Sequence, residues 1–169
     1  MSLMLNGIKL KKMKCSICHK EITGYSNNAQ PINDGQCCSE CNTNVVIPKR
    51  LKEMNILKEA AKAQAQYTDI MESFGYETQT TFYSDLTIAD AFGVDAVKDT
   101  FDRAFKEWKS NIVYITEFIM CLNHKIWEHH HKNNTELMIA YDTLWKQADE
   151  WAMNNLNDED LEYYLKTTD

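Results

Sequence analysis

Glycine, proline and long apolar runs are scarce in this sequence. Only 5 Gly and 2 Pro occur among its 169 residues, which leaves little material for tight turns. This scarcity argues against a β-sandwich or barrel, which needs turn residues at short intervals, and against a doubly wound nucleotide-binding fold with its glycine-rich loops. The composition therefore favours a mainly α protein with long helices.

The sequence also lacks the marks of a secreted or membrane-spanning protein. It has no uninterrupted apolar stretch of about 18 residues. Lys9, Lys11 and Lys12 interrupt the N-terminal apolar residues, where a secretory signal would have a continuous apolar core. We therefore expect a cytoplasmic protein with no membrane partner. In that reducing compartment, closely paired cysteines are metal ligands more often than disulfides.

Acidic residues are scarce at the N-terminus and abundant in the rest of the chain. Residues 1–52 contain 8 Lys+Arg against 3 Asp+Glu, whereas residues 53–169 contain 10 against 22. The formal net charge of -7 thus combines a mildly basic head with a body that carries an excess of 12 negative charges. We expect two domains, a metal-binding module at 1–48 with its core at 13–48, and an acidic helical bundle at 49–169.

Two C-x-x-C motifs carry the clearest chemical signal. Cys15 and Cys18 form the first pair, Cys38 and Cys41 the second, and 19 residues separate the pairs. Two intervening residues let the backbone curl into a tight knuckle that aims both thiolates at one point. This spacing is typical of structural four-cysteine zinc sites. We predict one structural zinc ion bound by these four residues, with no open coordination position for catalysis.

Alternatives to this ligand set exist within the same segment. Either Cys37 or Cys38 could complete the second pair, and the two-residue spacing to Cys41 favours Cys38. His19 could replace one cysteine. The cysteines could also form a redox dithiol or a disulfide framework. The reducing cytoplasm expected for this protein argues against both.

The residues between the two pairs predict a treble-clef-like module. Short strands are expected at 21–25 and 30–32, a turn at 33–35, and the start of a helix at 42–46. The module has almost no large aliphatic residues, so burial alone cannot fold it. We expect the metal to contribute about 10 kcal/mol, most of the folding free energy of the module.

The body has the periodicity of an antiparallel helical bundle. Helices are predicted at 49–73, from Ser84 or Asp85 to 92, from Asp95 onward, from Asn111 to about 131, from Thr135 to about 156, and at 158–166. In the first helix, Leu51, Met54, Leu57, Lys58, Ala61 and Ala65 lie on one stripe, and this helix is expected to connect the head to the body. The core faces are expected to be Val97, Phe101, Ala104, Phe105 and Trp108; Ile112, Ile115, Ile119, Leu122 and Ile126; and Leu137, Ala140, Tyr141, Leu144, Ala148 and Trp151.

No catalytic constellation emerges from the sequence, so we expect a binding protein and not an enzyme. Glu128 and His131 make one E-x-x-H pair, but a di-iron bundle needs the motif twice. Cys121 lies among apolar residues, as a buried inert thiol does. The segment 86–109 is similar to a helix-turn-helix, yet its second helix begins with acidic residues, which DNA would repel.

Two groups of segments resemble proteins of bacteriophages. Residues 15–25, CSICHKEITGY, and 34–46, DGQCCSECNTNVV, resemble a small zinc-binding module common in phage and prophage proteins. Residues 82–93, FYSDLTIADAFG, and 105–109, FKEWK, resemble streptococcal phage proteins. Together they resemble a zinc-containing anti-CRISPR inhibitor of the type II-A effector nuclease. The resemblance implies a stoichiometric inhibitor that binds this effector in the host bacterial cytoplasm and blocks target DNA binding or cleavage.

The charge of the body is compatible with that function. An acidic surface can compete for the positively charged channel in which such an effector holds its guide and target strands. The alternative is a phage zinc-finger-type nucleic-acid-binding or regulatory protein. Such a protein would bind nucleic acid through its basic head. Four thiolates with one zinc ion would add two negative charges there, and we do not expect direct nucleic-acid binding.

Overall fold

A computed structural model describes residues 13–168 of the chain. The fold is mainly α-helical. The chain divides into two compact units, Met1–Asn55 and Ile56–Asp169, and the sequence-based boundary after residue 48 lies near this division. In chain order the elements are β1 (Asn27–Asn28), β2 (Gln36–Cys37), α1 (Ser39–Cys41), a π-helical turn (Asn42–Val46), α2 (Ile47–Ser73), α3 (Phe82–Asp90), α4 (Val94–Trp108), α5 (Ile112–His131), α6 (Thr135–Asn155) and α7 (Asp158–Thr168).

The first unit contains a knuckle, a two-stranded hairpin and the start of a helical segment, in the predicted order. Strand β1 pairs with β2 antiparallel, with Asn27 opposite Cys37. The buried residues are few and small, namely Cys15, Ala29, Cys37, Cys41 and Val46. Such a core buries little apolar surface, which agrees with a module that depends on a metal for its folding free energy.

The predicted positions of the strands are wrong. Residues 21–25 contribute only a bridge between Glu21 and Lys14, and residues 30–32 lie in the connection between β1 and β2. The side chain of Asn28 accepts a hydrogen bond from the amide of Gln30, and the Ala29 carbonyl accepts one from Ile32. These local bonds close the chain into turns where the sequence pattern predicts an extended segment.

The second unit is an antiparallel helical bundle. Helices α5 and α6, joined by a short connection, form its most extensive helix pair, and α3, α4 and α7 pack around them. The predicted faces of α4, α5 and α6 are confirmed as core: each residue of these faces is buried or packs against the buried cluster. Within the described residues 13–168, no helix has both the length and the apolarity needed to cross a membrane.

Side-chain caps fix the beginning of two long helices. Asn111 caps α5 as predicted, because its Oδ1 accepts hydrogen bonds from the amides of Val113 and Tyr114. Asn134 caps α6 by accepting from the amide of Leu137, one residue before the predicted start at Thr135. The prediction of Asp95 as the cap of α4 is wrong, since Gly93 occupies that position with a positive φ of 93°.

The stripe that the periodicity of α2 predicts is exposed to solvent. Leu51, Met54 and Leu57 are 51%, 44% and 58% exposed. The helix buries Ala60, Tyr67 and Met71, whose mean direction lies about 120° from that of the stripe on the helical wheel. Tyr67 stacks against Tyr83 of α3 with 4.4 Å between ring centroids, so aromatic packing decides which side of α2 faces inward.

Candidate metal centre

The four cysteines of the two C-x-x-C motifs lie together. The Sγ atoms of Cys15, Cys18, Cys38 and Cys41 all lie within 4.8 Å of one another. The two from Cys18 and Cys38 are 3.9 Å apart. A tetrahedral ion with metal–sulfur bonds of about 2.3 Å requires sulfur–sulfur distances of about 3.8 Å. Four thiolates at this separation can bind one metal ion.

Hydrogen bonds of the backbone shape the first knuckle. The amide of Cys15 donates to the carbonyl of Lys20 at 2.8 Å, and the amide of His19 donates to the carbonyl of Cys15 at 2.9 Å. His19 turns the chain with a positive φ of 62°. The Cys15 Sγ atom accepts from the amides of Ile17 and Cys18 at 3.4 and 3.5 Å. The short spacing thus lets amide donors surround a sulfur that carries negative charge when it binds a metal.

The second pair lies at the start of a helical segment. Cys38 precedes α1 as its N-cap, and its Sγ atom accepts a hydrogen bond from the amide of Cys41 at 3.5 Å. One helical turn then brings the Cys41 thiol beside that of Cys38. Cysteine therefore serves here both as the helix cap and as a candidate ligand.

A close contact joins the first knuckle to the hairpin. The amide of Ser16 donates to the carbonyl of Gln36 at 2.8 Å. Gly35 precedes β2, and a Cβ atom on it would lie 2.5 Å from the Cβ atom of Ser16. Only glycine permits this approach, which brings the two cysteine pairs together.

The thiols of Cys15 and Cys41 differ in pKa because their surroundings differ. Burial raises the pKa of Cys15, but backbone amide donors, that of Cys18 foremost, outweigh burial and lower this pKa to about 6. Burial and the neighbouring thiols raise the pKa of Cys41 well above its usual range. Cys15 is thus the group already inclined to be a thiolate, and an arriving cation would have to displace the proton of Cys41.

The alternative ligands lie outside this group. Cys37 is buried, but its Sγ atom points to the carbonyl oxygen of Asn28 at a distance of 3.9 Å. His19 is exposed and does not belong to the four-thiol group. The structure thus brings together the set that contains Cys38, as the two-residue spacing predicts.

A second group of metal-binding side chains lies in the helical bundle. Asp90 of α3 and Glu128 and His129 of α5 each offer one ligand atom, and these atoms lie within 4.8 Å of one another. The Lys125 Nζ atom lies among them, 3.0 Å from Asp90 Oδ2 and 2.9 Å from Glu128 Oε2. An ammonium therefore occupies the place that a cation would take.

The Lys125 side chain is fully buried and its hydrogen-bonding capacity is used. Besides the two carboxylates, its Nζ atom donates to Thr87 Oγ1 at 2.8 Å and lies 4.4 Å from the centre of the Tyr83 ring. Tyr83 and Tyr141 donate to Glu128 and Asp90, each at 2.6 Å. These bonds satisfy the buried charges, so the cluster is a stabilising polar network.

The E-x-x-H motif does not form a site. Glu128 belongs to the buried network, whereas His131 is exposed and its Nδ1 atom bonds to the carbonyl of Trp127. Lys125 and His129 are buried polar residues that the apolar stripe predicted on α5 does not include. Lys125 follows Leu122 by three positions and His129 follows it by seven, so the helical period itself places both on the buried face.

Comparison of the chain with known protein families, with curated proteins and with solved structures gives no significant match.

Proposed function

We propose that the four-cysteine group binds one zinc ion and that this ion is structural. The donor set consists of four soft thiolates, which zinc favours, and the observed 3.9 Å between two of the sulfurs fits its bond length. The small core of the head supports a role in folding. Four protein ligands leave no position for a water molecule or a substrate.

The proposed function of the whole chain is inhibition of a type II-A CRISPR effector nuclease in the bacterial cytoplasm. Its support is the resemblance of residues 15–25, 34–46, 82–93 and 105–109 to phage proteins, together with the acidity of the body. The single observation that carries the proposal is the excess of 12 negative charges in residues 53–169. An effector that holds nucleic acid in a positively charged channel offers a complementary surface.

Unpaired carboxylates on the surface of the bundle agree with such a role. Asp99, Asp102 and Glu107 of α4 are exposed, and no carboxylate of these three forms a hydrogen bond or an ion pair with the described residues 13–168. A partner with lysine or arginine side chains can bind them without first breaking ion pairs within the protein.

A titrated cleavage assay tests this proposal. Purified type II-A effectors loaded with guide RNA are incubated with increasing amounts of the zinc-loaded protein before target DNA is added. Cleavage is expected to fall to zero near an equimolar ratio. Unchanged cleavage by several type II-A effectors at large excess would refute the proposed inhibition.

A mobility-shift assay with the protein alone addresses the nucleic-acid-binding alternative. In the described part of the head, the Arg50 guanidinium donates to the carbonyls of Gln30 and Asn28 at 2.8 and 3.0 Å, and the Lys49 ammonium lies 3.6 Å from the Glu53 carboxylate. We expect no tight complex with short duplexes. A tight shift that weakens steeply with salt would favour nucleic-acid binding over inhibition.

A further inference from the structure

Two of the four grouped cysteines are accessible from solvent. Cys18 and Cys38 are partly exposed, whereas Cys15 is fully buried and Cys41 is only 8% exposed. A bound metal keeps all four sulfurs deprotonated, and the deprotonated sulfur is the form that oxidants attack. Since oxidation also follows exposure, the sulfurs of Cys18 and Cys38 are the first that an oxidant in solution would reach.

The sulfurs of Cys18 and Cys38 are also neighbours. Their Sγ atoms lie 3.9 Å apart, although the residues are separated by 20 positions in the chain. A disulfide requires about 2 Å between its sulfur atoms, so an approach of about 2 Å would join them. A reactive thiolate beside a second thiol is the usual arrangement in redox-sensing proteins, where the second thiol forms a disulfide with the oxidised one.

The backbone already joins the two segments that such a disulfide would link. The amide of Ser16 donates to the carbonyl of Gln36 at 2.8 Å, and Gly35 permits the close approach of the knuckle to the hairpin. A bond between Cys18 and Cys38 therefore connects segments that are in contact in the folded head.

Pairing within one C-x-x-C motif is less favourable. It would need the buried sulfur of Cys15 or of Cys41. The Cys15 Sγ atom accepts hydrogen bonds from the amides of Ile17 and Cys18 at 3.4 and 3.5 Å. Such bonds are stronger to a charged thiolate than to the neutral sulfur of a disulfide, so they oppose the oxidation of Cys15. Pairing across the two motifs is therefore favoured over pairing within one.

We propose that a hydroperoxide converts Cys18 and Cys38 into a reversible disulfide and thereby releases the metal ion from the head. Only Cys15 and Cys41 then remain as thiolate ligands, and a structural zinc site needs four. The proposal rests on the proposed zinc site and does not depend on the proposed inhibition of a nuclease. It agrees with the reducing cytoplasm expected for this protein, where disulfides are transient and redox-sensing.

The reaction is a two-electron oxidation. One of the two thiolates attacks the peroxide, the O–O bond breaks, and the sulfur becomes a sulfenic acid while hydroxide or alkoxide leaves. The second thiolate attacks this sulfur, the S–S bond forms, and the S–O bond breaks with loss of hydroxide. The two sulfurs lose two electrons to the two peroxide oxygens, and the zinc ion leaves with its charge unchanged. A thiol reductant reverses the oxidation by disulfide exchange.

Disulfide mapping of the full zinc-loaded chain tests the pairing. The protein is treated with an equimolar amount of hydrogen peroxide, unfolded, alkylated at its free thiols and digested with trypsin without reduction. Trypsin divides the head into the peptide 15–20, with the first motif, and the peptide 21–49, with the second motif and Cys37. We expect the two peptides to be joined by one disulfide, with Cys15 and Cys41 alkylated.

Zinc release should accompany the disulfide. A zinc-binding dye measures the free ion, and we expect one ion released for each disulfide formed. Reduction with dithiothreitol in the presence of zinc should restore full metal content. Zinc that stays bound after the disulfide forms, or metal binding that does not recover after reduction, overturns the proposal.

Two single variants serve as matched controls. Cys37→Ser removes a buried thiol whose Sγ atom points to the Asn28 carbonyl, and Cys121→Ser removes a thiol buried in the helical bundle. Neither thiol belongs to the group of four, so both variants should form the same disulfide and release zinc as the natural chain does. Loss of the disulfide in either variant would assign the pairing to the thiol removed and overturn the proposal.

Other products would contradict the proposal directly. A disulfide within the peptide 15–20, a disulfide between Cys38 and Cys41, or four alkylated ligands after excess peroxide would each overturn it. Metal content before oxidation separates the two proposals about the head. A chain that never binds zinc refutes the zinc site and with it the release step, whereas a chain that binds zinc and keeps it under peroxide refutes only the redox proposal.

Discussion

The Nζ atom of Lys125 lies 3.0 Å from Oδ2 of Asp90, although the two residues are 35 positions apart in the chain. The bond joins the middle of α5 to the end of α3 inside the helical bundle. The Lys125 ammonium has no exposed surface, so its free energy depends on the bonds that it makes to neighbouring side chains. The bundle therefore has a charged centre as well as an apolar core.

Replacing this ammonium should destabilise the bundle strongly. In Lys125→Met, Asp90 and Glu128 lose a buried counterion, and we expect a loss of about 3–5 kcal/mol in the free energy of unfolding. Urea unfolding followed by tryptophan fluorescence measures it, because all four Trp lie in residues 108–151. Lys132→Met is the matched control: Lys132 pairs with the same Glu128 but is 62% exposed, and should cost at most about 1 kcal/mol. Equal losses in the two variants would contradict the proposed role of burial.

The same network should make stability depend on acid pH. Burial raises the pKa of Glu128, but the Lys125 ammonium and the hydrogen bonds to this carboxylate outweigh burial and hold the pKa near 2, against an ordinary 4.5. A carboxyl with a lowered folded-state pKa stabilises the protein above its unfolded pKa, and this contribution is lost as the pH falls towards 2. We therefore expect the stability difference between the natural chain and Glu128→Gln to shrink between pH 5 and pH 2. A constant difference across that range would show that the ionised carboxylate contributes nothing.

Metal content should follow the four grouped cysteines and not Cys37. Elemental analysis is expected to find about one zinc ion per chain. Cys15→Ser or Cys41→Ser should lower the apparent metal affinity by about 100-fold or more, since loss of an outer hydrogen-bond partner alone costs 10–100-fold. Cys37→Ser removes a thiol that bonds only to a carbonyl, and full metal content is expected. Zinc loss from Cys37→Ser equal to that from Cys41→Ser would overturn the ligand assignment.

The approach of Gly35 to Ser16 can be tested by adding one carbon. In Gly35→Ala, the new Cβ atom would lie 2.5 Å from the Ser16 Cβ atom, so the hairpin and the knuckle must separate. We expect a loss of about 1–3 kcal/mol in the stability of the metal-bound head and a weaker metal affinity, measured by competition with a chelator. Ser16→Gly in the same chain removes the clashing atoms and should restore part of the loss. If Gly35→Ala binds metal as tightly as the natural chain, the close approach has no role in the site.

The metal site and the start of α5 are determined by interactions within a few residues of the chain. The metal site could be anticipated because each C-x-x-C knuckle is closed by bonds within a few residues, as at Cys15 and Cys18. The start of α5 is equally local, since Asn111 bonds to amides two and three positions later. Both features can be identified from spacing alone.

Two features of the helical bundle depend on interactions between residues distant in the chain. The orientation of α2 depends on the stacking of Tyr67 with Tyr83, sixteen positions away, and periodicity cannot choose between two possible apolar stripes. The network around Lys125 needs partners from α3 and α6, so the sequence suggests a buried polar residue on α5 without indicating what pairs with it.

Two hydrogen bonds from the Arg50 guanidinium connect the hairpin of the head to the start of α2. They join the first turn of α2 to the carbonyls of Asn28 and Gln30, in the hairpin that precedes the second cysteine pair. The start of a long helix thereby becomes part of the same cooperative unit as the metal site. In hydrogen-exchange terms, protection of the amides around residue 50 should follow occupancy of the four thiols, and chelation should fray α2 from its N-terminal end.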